Sequence, residues 1–158
     1  MELPVDSNEF VGLFAASGVE FLVVGGHAVA FHGHPRFTQD LDLLVRPSVE
    51  NGRRVVEALK RFGFGSLDVK AEEFASPDLI IQLGRAPHRI DLITGLSGVT
   101  FDEAWATRVE ARIRGSSVFM ISREALIKNK RATGRTQDLA DAERLEARPT
   151  NGGEDPPR

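Results

Sequence analysis

The run Asp40-Leu41-Asp42-Leu43-Leu44-Val45 constrains the fold of this chain more than any other stretch. Acid and leucine alternate, and a period of two belongs to a strand with one polar and one apolar face. Leu41 and Leu43 then point into a core, while Asp40 and Asp42 point together to the other face. Two carboxylates on one face repel each other and are costly to bury. A strand end in water resolves that conflict. A divalent cation resolves it as well, because Mg²⁺ prefers carboxylate oxygens and the oxygens of substrate phosphates. The pair alone leaves both solutions open.

Two further features bear on the choice. Glu20 to Val24 is a short, valine-bearing apolar run and reads as a buried strand. Gly25-Gly26 breaks it, and His27 to His32 reads as a short helix ending at Gly33. Glycines let backbone approach a phosphate, and free N–H groups at a helix start point towards it; a tight strand-to-helix turn is the plain alternative. His27, beside the glycines, is a candidate phosphate contact. Asp91 lies inside Arg89-Ile90-Asp91-Leu92-Ile93, where aspartate is disfavoured and needs a reason. If this strand neighbours the Asp40 strand, Asp91 completes a three-carboxylate site of the kind that holds two metal ions about 3.5–4 Å apart. An edge strand facing water is the alternative.

The remaining punctuation supplies the elements around these strands. Asp6 and Glu9 begin a helix carrying Phe10, Leu13 and Phe14, which Gly18 closes. Pro47 and Ser48 start a helix to about Arg61, closed by Gly63 and Gly65. Leu79–Leu83 and Arg89–Ile93 flank the turn Gly84-Arg85-Ala86-Pro87 and read as an antiparallel hairpin. Thr100 caps a helix to about Ala106. Val109–Ile113 and Val118–Ile121 form a second hairpin about Gly115-Ser116. Ser122 caps a helix carrying Leu126, Ile127 and Lys130, and Thr136–Ala147 is a last amphipathic helix. This order predicts an α/β, or α+β, fold with helices around a mixed sheet. No internal linker divides it, so residues 1–147 read as one domain and 148–158, without apolar residues, as a disordered tail.

Composition narrows the function classes. There is no cysteine, which removes disulfides, thiolate nucleophiles and cysteine-based zinc sites and fits a cytoplasmic location. No segment nears the roughly 20 apolar residues of a membrane helix, and Met1–Asp6 lacks the features of a signal peptide. The net charge of −3 is unlike that of a general nucleic-acid binder. His27, His32 and His34 lack zinc-ligand spacing, and Trp105 reads as core before it reads as a stacking platform. Arg123, Lys128, Lys130, Arg131 and Arg135 make a locally basic run, read either as a solvated face or as a triphosphate or nucleic-acid contact. Asp138 and Asp141 share a helix face and would pair with Lys130 and Arg135, or simply favour a helix N-terminus.

Together, Val23-Val24-Gly25-Gly26-His27-Ala28, Arg36-Phe37-Thr38-Gln39-Asp40-Leu41-Asp42-Leu43 and Ile90-Asp91-Leu92 resemble the nucleotidyltransferase superfamily. Arg36–Leu43 and the block Lys130–Asp141, with its Lys…Arg-x-x-Asp-x-x-Asp spacing, are similar to the minimal nucleotidyltransferases of toxin–antitoxin and abortive-infection (AbiEii-like) systems. The resemblance covers about residues 20 to 145. It departs from the pattern at Thr136-Gln137, where a lysine is frequent, and in the longer segment between Gly26 and Asp40. It implies a nucleotidyltransferase-like mixed sheet. It implies that Gly25 and Gly26 hold nucleotide phosphates, and that Asp40, Asp42 and Asp91 bind Mg²⁺ (or Mn²⁺). Asp91 would also help activate the attacking hydroxyl, Lys130 would contact the triphosphate, and Arg36 and Arg135 are further phosphate candidates. The implied reaction moves a nucleoside monophosphate from a nucleoside triphosphate to a hydroxyl on RNA, such as a tRNA end, or on protein. The chain would then be the toxin-type component of a pair, with a cognate antitoxin protein as partner. The alternative is a non-catalytic module of the same fold that binds nucleotide or a partner.

Overall fold

The apolar runs become a six-stranded mixed sheet. A computed structural model describes residues 7–34, 40–85, 88–113 and 115–147. The strands are β1 (Phe21–Val24), β2 (Asp40–Val45), β3 (Ile80–Arg85), β4 (His88–Ile93), β5 (Val109–Ile113) and β6 (Ser116–Met120). Their order across the sheet is β3-β4-β2-β1-β6-β5. The expected hairpins β3–β4 and β5–β6 are antiparallel, as is β1 against β2. The pairs β2–β4 and β1–β6 are parallel. On β2, Leu41, Leu43 and Val45 are buried while Asp40 and Asp42 are partly exposed, as the alternation requires, and Leu44, on the aspartate side, is buried as well.

The helices are α1 (Ser7–Ala16), α2 (Gly25–Phe31), α3 (Val49–Arg61), α4 (Phe101–Ala106), α5 (Arg123–Thr133) and α6 (Thr136–Ala147). The expected caps are present: Ser48, Thr100 and Ser122 each accept a backbone N–H three residues on, all at 3.1 Å. Such a cap is worth about 1 kcal/mol. α1 packs on β4, β5 and β6 and brings Phe10 and Phe14 against Phe62, with ring centroids 5.2 and 6.2 Å apart. Asn51, fully buried on α3, accepts the N–H of Glu20 and donates to the carbonyls of Glu20 and Arg46, tying the outer ends of β1 and β2 to that helix.

Several boundaries differ from the sequence expectation; β3 runs on to Arg85 and β4 starts at His88, so Gly84 and Arg85, expected in the turn, are paired strand residues. α2 begins at Gly25 itself and not at His27, because a positive φ of 69° at Gly25 turns the chain from strand to helix with no separate loop. A short 3₁₀ turn, Ala71–Ala75, had no signal; it packs on α3 at Gly52, where a Cβ would stand 2.5 Å from the Ala71 carbonyl oxygen. β6 begins at Ser116, two residues before the apolar run. Arg36, most of the loop after Gly33, the tip of the β3–β4 turn and the tail 148–158 lie outside the described residues.

Candidate active site

The sheet brings the predicted carboxylates onto one face. β2 and β4 run parallel with Asp42 opposite Asp91 and Asp40 opposite Arg89. Opposite residues of parallel strands project to the same side, so Asp40, Asp42 and Asp91 share a face. On the other side of β2, Val24 pairs with Asp42, which sets the turn at Gly25 against the Asp42 carboxylate. A Cβ at Gly25 would lie 2.3 Å from Asp42 Oδ2, so glycine is required there twice over, by this approach and by its φ.

Charge is crowded at this point. Burial first, then the neighbouring Asp91 and Asp40, push the Asp42 carboxyl up from 3.8 to about 6, with Arg89 and Lys130 pulling the other way. Arg89 was not among the predicted site residues. Its Nη2 lies 3.0 Å from Asp40 Oδ2 and 3.2 Å from Asp91 Oδ2, and its Nε lies 3.0 Å from Asp91 Oδ1. The period-two rule that paired Asp40 with Asp42 could have found it, since Arg89 precedes Asp91 by two on the same strand.

A cleft of about 780 Å³ opens beside Asp42. Gly25 and Asp42 line one end of it. Lys130, Thr133, Arg135 and Asp138, from α5, α6 and their junction, line a second wall. Leu79, Ile80, Ile93, Leu96 and Val99 make a third, apolar wall. That third wall is pinned: Asn129 donates to the Ser97 carbonyl at 3.0 Å, and a Cβ at Gly95 would stand 2.2 Å from the Pro77 carbonyl oxygen. No sequence signal marked it, because loops distant in the chain meet there.

Lys130 is buried, with Nζ 3.0 Å from Asp138 Oδ1 and 3.3 Å from Asp141 Oδ2. Arg135 Nε donates to Asp138 Oδ2 at 2.8 Å, Thr133 Oγ1 donates to the same oxygen at 2.7 Å, and Gln137 donates to Asp141. Burial alone would raise the Asp138 carboxyl, but the hydrogen bonds from Thr133, Lys130 and Arg135 hold it below the ordinary range. Asp138 and Asp141 thus position Lys130 and Arg135. The basic run forms no continuous surface: Arg123 bonds the carbonyls of Leu145 and Glu146, Lys128 pairs with Glu103, and Arg131 pairs with Glu146. His27 sits half-buried in the first turn of α2, where burial lowers its pKa, and neither it nor Gly26 lines the cleft. His32 is structural, with Nε2 2.8 Å from the Ile121 carbonyl oxygen. Trp105 stacks on Phe101 and packs at the core's edge.

Among the described residues no three carboxylate or imidazole side chains already stand close enough to enclose an ion. The donor set nevertheless fits a hard divalent cation. Asp42 and Asp91 face each other across paired strands, and Asp91 Oδ1 is buried with no hydrogen bond completed to it. Mg²⁺ commonly takes one or two carboxylates and completes its shell with water and substrate phosphate.

A mixed sheet with carboxylates on adjacent parallel strands beside a glycine turn and a cleft is the arrangement expected of a nucleotidyltransferase. Comparison with known proteins agrees. Residues 6–151 match the family described as "Nucleotidyl transferase of unknown function (DUF2204)", and the chain belongs to that family. The fold is similar to that of the lincosamide antibiotic adenylyltransferase LnuA in its lincomycin-bound crystal structure. The identity is 14%, the TM-score 0.53, and the match covers 92% of this chain and 99% of that one. An antigenic nucleotidyltransferase-like protein from Paracoccidioides brasiliensis is similar at 15% identity and TM-score 0.48, over 90% of this chain and 76% of that one. No curated protein matches the sequence.

Proposed function

We propose that the chain transfers a nucleoside monophosphate from a nucleoside triphosphate to an acceptor hydroxyl, with Asp42 and Asp91 holding a divalent cation at the cleft's end. The observation that carries this reading is the pairing of Asp42 with Asp91 against Gly25, with Asp42 and Gly25 lining the same cleft as Lys130 and Arg135. A divalent cation held there would neutralise charge on the triphosphate. Gly25 brings the backbone against the Asp42 carboxylate, close to where a cation-bound phosphate would sit, and Gly26, buried behind it, would support that turn; α2, at seven residues, adds little dipole. Lys130 and Arg135 would take up charge on the departing pyrophosphate. Asp91 would accept the proton of the acceptor hydroxyl as its oxygen bonds the α-phosphorus. The bond from that phosphorus to the bridging oxygen then breaks, and pyrophosphate leaves. Asp40, His27 and Arg36 complete the proposed set, Asp40 for metal and the other two for phosphate.

For the acceptor we propose a hydroxyl on RNA or protein, in a toxin-type component with a cognate antitoxin. The support is the Lys130–Asp141 block, which resembles that branch and is assembled here as a buried ion-pair cluster. The apolar wall of the cleft, together with the lincosamide acceptor of the structurally similar adenylyltransferase, favours a second reading in which the acceptor is a small molecule. Each α-labelled nucleoside triphosphate, incubated with Mg²⁺ and in turn with total tRNA, total protein and a panel of hydroxyl-bearing small molecules, separates them. Label should pass to one acceptor class with the wild-type chain and to none with Asp42→Asn. Nucleotide binding without transfer to any class would leave a binding module and refute the enzymatic reading.

A further inference from the structure

Arg89 plays no part in the chemistry above, yet it touches two of the three carboxylates. Backbone register puts it there: it lies opposite Asp40 and two residues before Asp91, so its side chain leaves the same sheet face. The fit is good on one side and poor on the other. Nη2 donates to Asp40 Oδ2 at 3.0 Å and to Asp91 Oδ2 at 3.2 Å. Nε and Asp91 Oδ1 are both buried and 3.0 Å apart, and neither completes a hydrogen bond. A guanidinium is a rigid planar fork that serves one carboxylate best; spread over two, it leaves Asp91 with an oxygen aimed at a charge but not bonded to it. The face then keeps a formal deficit equal to one divalent cation.

We propose that Arg89 is a displaceable counter-cation, which balances Asp40 and Asp91 while no metal is bound and gives up Asp91 when a divalent cation enters. This rests on reading the carboxylates as a metal site. A guanidinium that merely propped β2 against β4 would help the folded chain and the metal complex alike. A competing one helps the metal-free chain and opposes the metal, so its removal acts on the two with opposite sign. As a positioning residue it also sets a threshold: cation binds well only with a partner, such as a triphosphate, that offers the released guanidinium another anion.

The test is calorimetric titration of the full chain with Mn²⁺ and no nucleotide, beside thermal melting in chelator, for wild type, Arg89→Gln, Arg89→Lys and Asp42→Asn. Arg89→Gln should melt several degrees lower in chelator yet bind Mn²⁺ about tenfold tighter or more. Arg89→Lys keeps the charge without the fork and should fall between it and wild type. If Arg89→Gln does not fold, tighter binding by Arg89→Lys upholds the proposal, and equal or weaker binding overturns it. Equal or weaker binding by a folded Arg89→Gln, with wild-type binding lost in Asp42→Asn, overturns the proposal and leaves the metal site standing. No Mn²⁺ binding by wild type, Arg89→Gln or Arg89→Lys overturns both.

Discussion

Asp42 and Gly25 carry the site at the scale of single residues, and their constraints can be separated by experiment. Asp42 has a folded-state pKa of about 6 against an ordinary 3.8. The folded chain therefore holds that proton more tightly than the unfolded chain between these values. Stability falls as pH rises through the window, and above it the ionised carboxylate destabilises the metal-free fold by on the order of 2–3 kcal/mol. Asp42→Asn should thus melt higher than wild type in chelator at about pH 8, with the gap closing by about pH 4. A gap that is independent of pH would contradict the electrostatic crowding. Gly25→Ala meets both a left-handed φ, costing about 1–2 kcal/mol, and the Asp42 carboxylate, whereas Gly115→Ala meets the same kind of φ with open space around it. Both variants should lose stability by chemical denaturation, Gly25→Ala more than Gly115→Ala because it adds the approach to Asp42 to the backbone term. Nucleotidyl transfer should collapse in Gly25→Ala and persist in Gly115→Ala.

At the scale of elements, the junction of α5 and α6 is built on one buried cation. Lys130 faces Asp138 and Asp141, and Asp141 is fully buried. Lys130→Met leaves two carboxylates without that partner in a dry place, which should cost about 3–5 kcal/mol, measured by urea unfolding. Asp141→Asn combined with Lys130→Met should recover part of that loss, since the stranded charge is then removed as well. The shared face of Asp138 and Asp141 was legible in the sequence from their helical spacing of three; their pairing with Lys130 crosses from α6 to α5 and followed only from the resemblance of the whole block. The caps were legible too, as Ser48, Thr100 and Ser122 stand directly before amphipathic runs. The start of α2 was not, because a glycine can either break a helix or begin one, and the approach of Asp42 decides which. Arg89 was not legible as a site residue, because an arginine near a strand end is ordinarily solvated; only the alternation that puts it two residues before Asp91 marks it.

At the scale of the whole molecule, strand existence followed from alternation and turns, but sheet order did not. β1 lies between β2 and β6, and β6 is separated from β1 by most of the chain; such pairings are chosen by packing, which leaves no local mark. The same holds for the cleft, whose apolar wall gathers Leu79, Ile80, Ile93, Leu96 and Val99 from segments without a motif. The third carboxylate was therefore a conditional inference from sequence, and the β2–β4 register meets the condition. Nucleotide should stabilise the assembled sheet and cleft together: saturating Mg²⁺–triphosphate, at about one hundred times its Kd, should add about 2.7 kcal/mol to unfolding. That increment should vanish in Asp42→Asn. The central claim, that Asp42 and Asp91 hold the cation that receives the triphosphate, is met most directly by crystals grown with Mn²⁺ and a non-hydrolysable nucleoside triphosphate. An anomalous peak is expected in direct contact with the Asp42 and Asp91 carboxylates, with the triphosphate running from Gly25 towards Lys130. Mn²⁺ bound elsewhere, or a triphosphate outside this cleft, would contradict it.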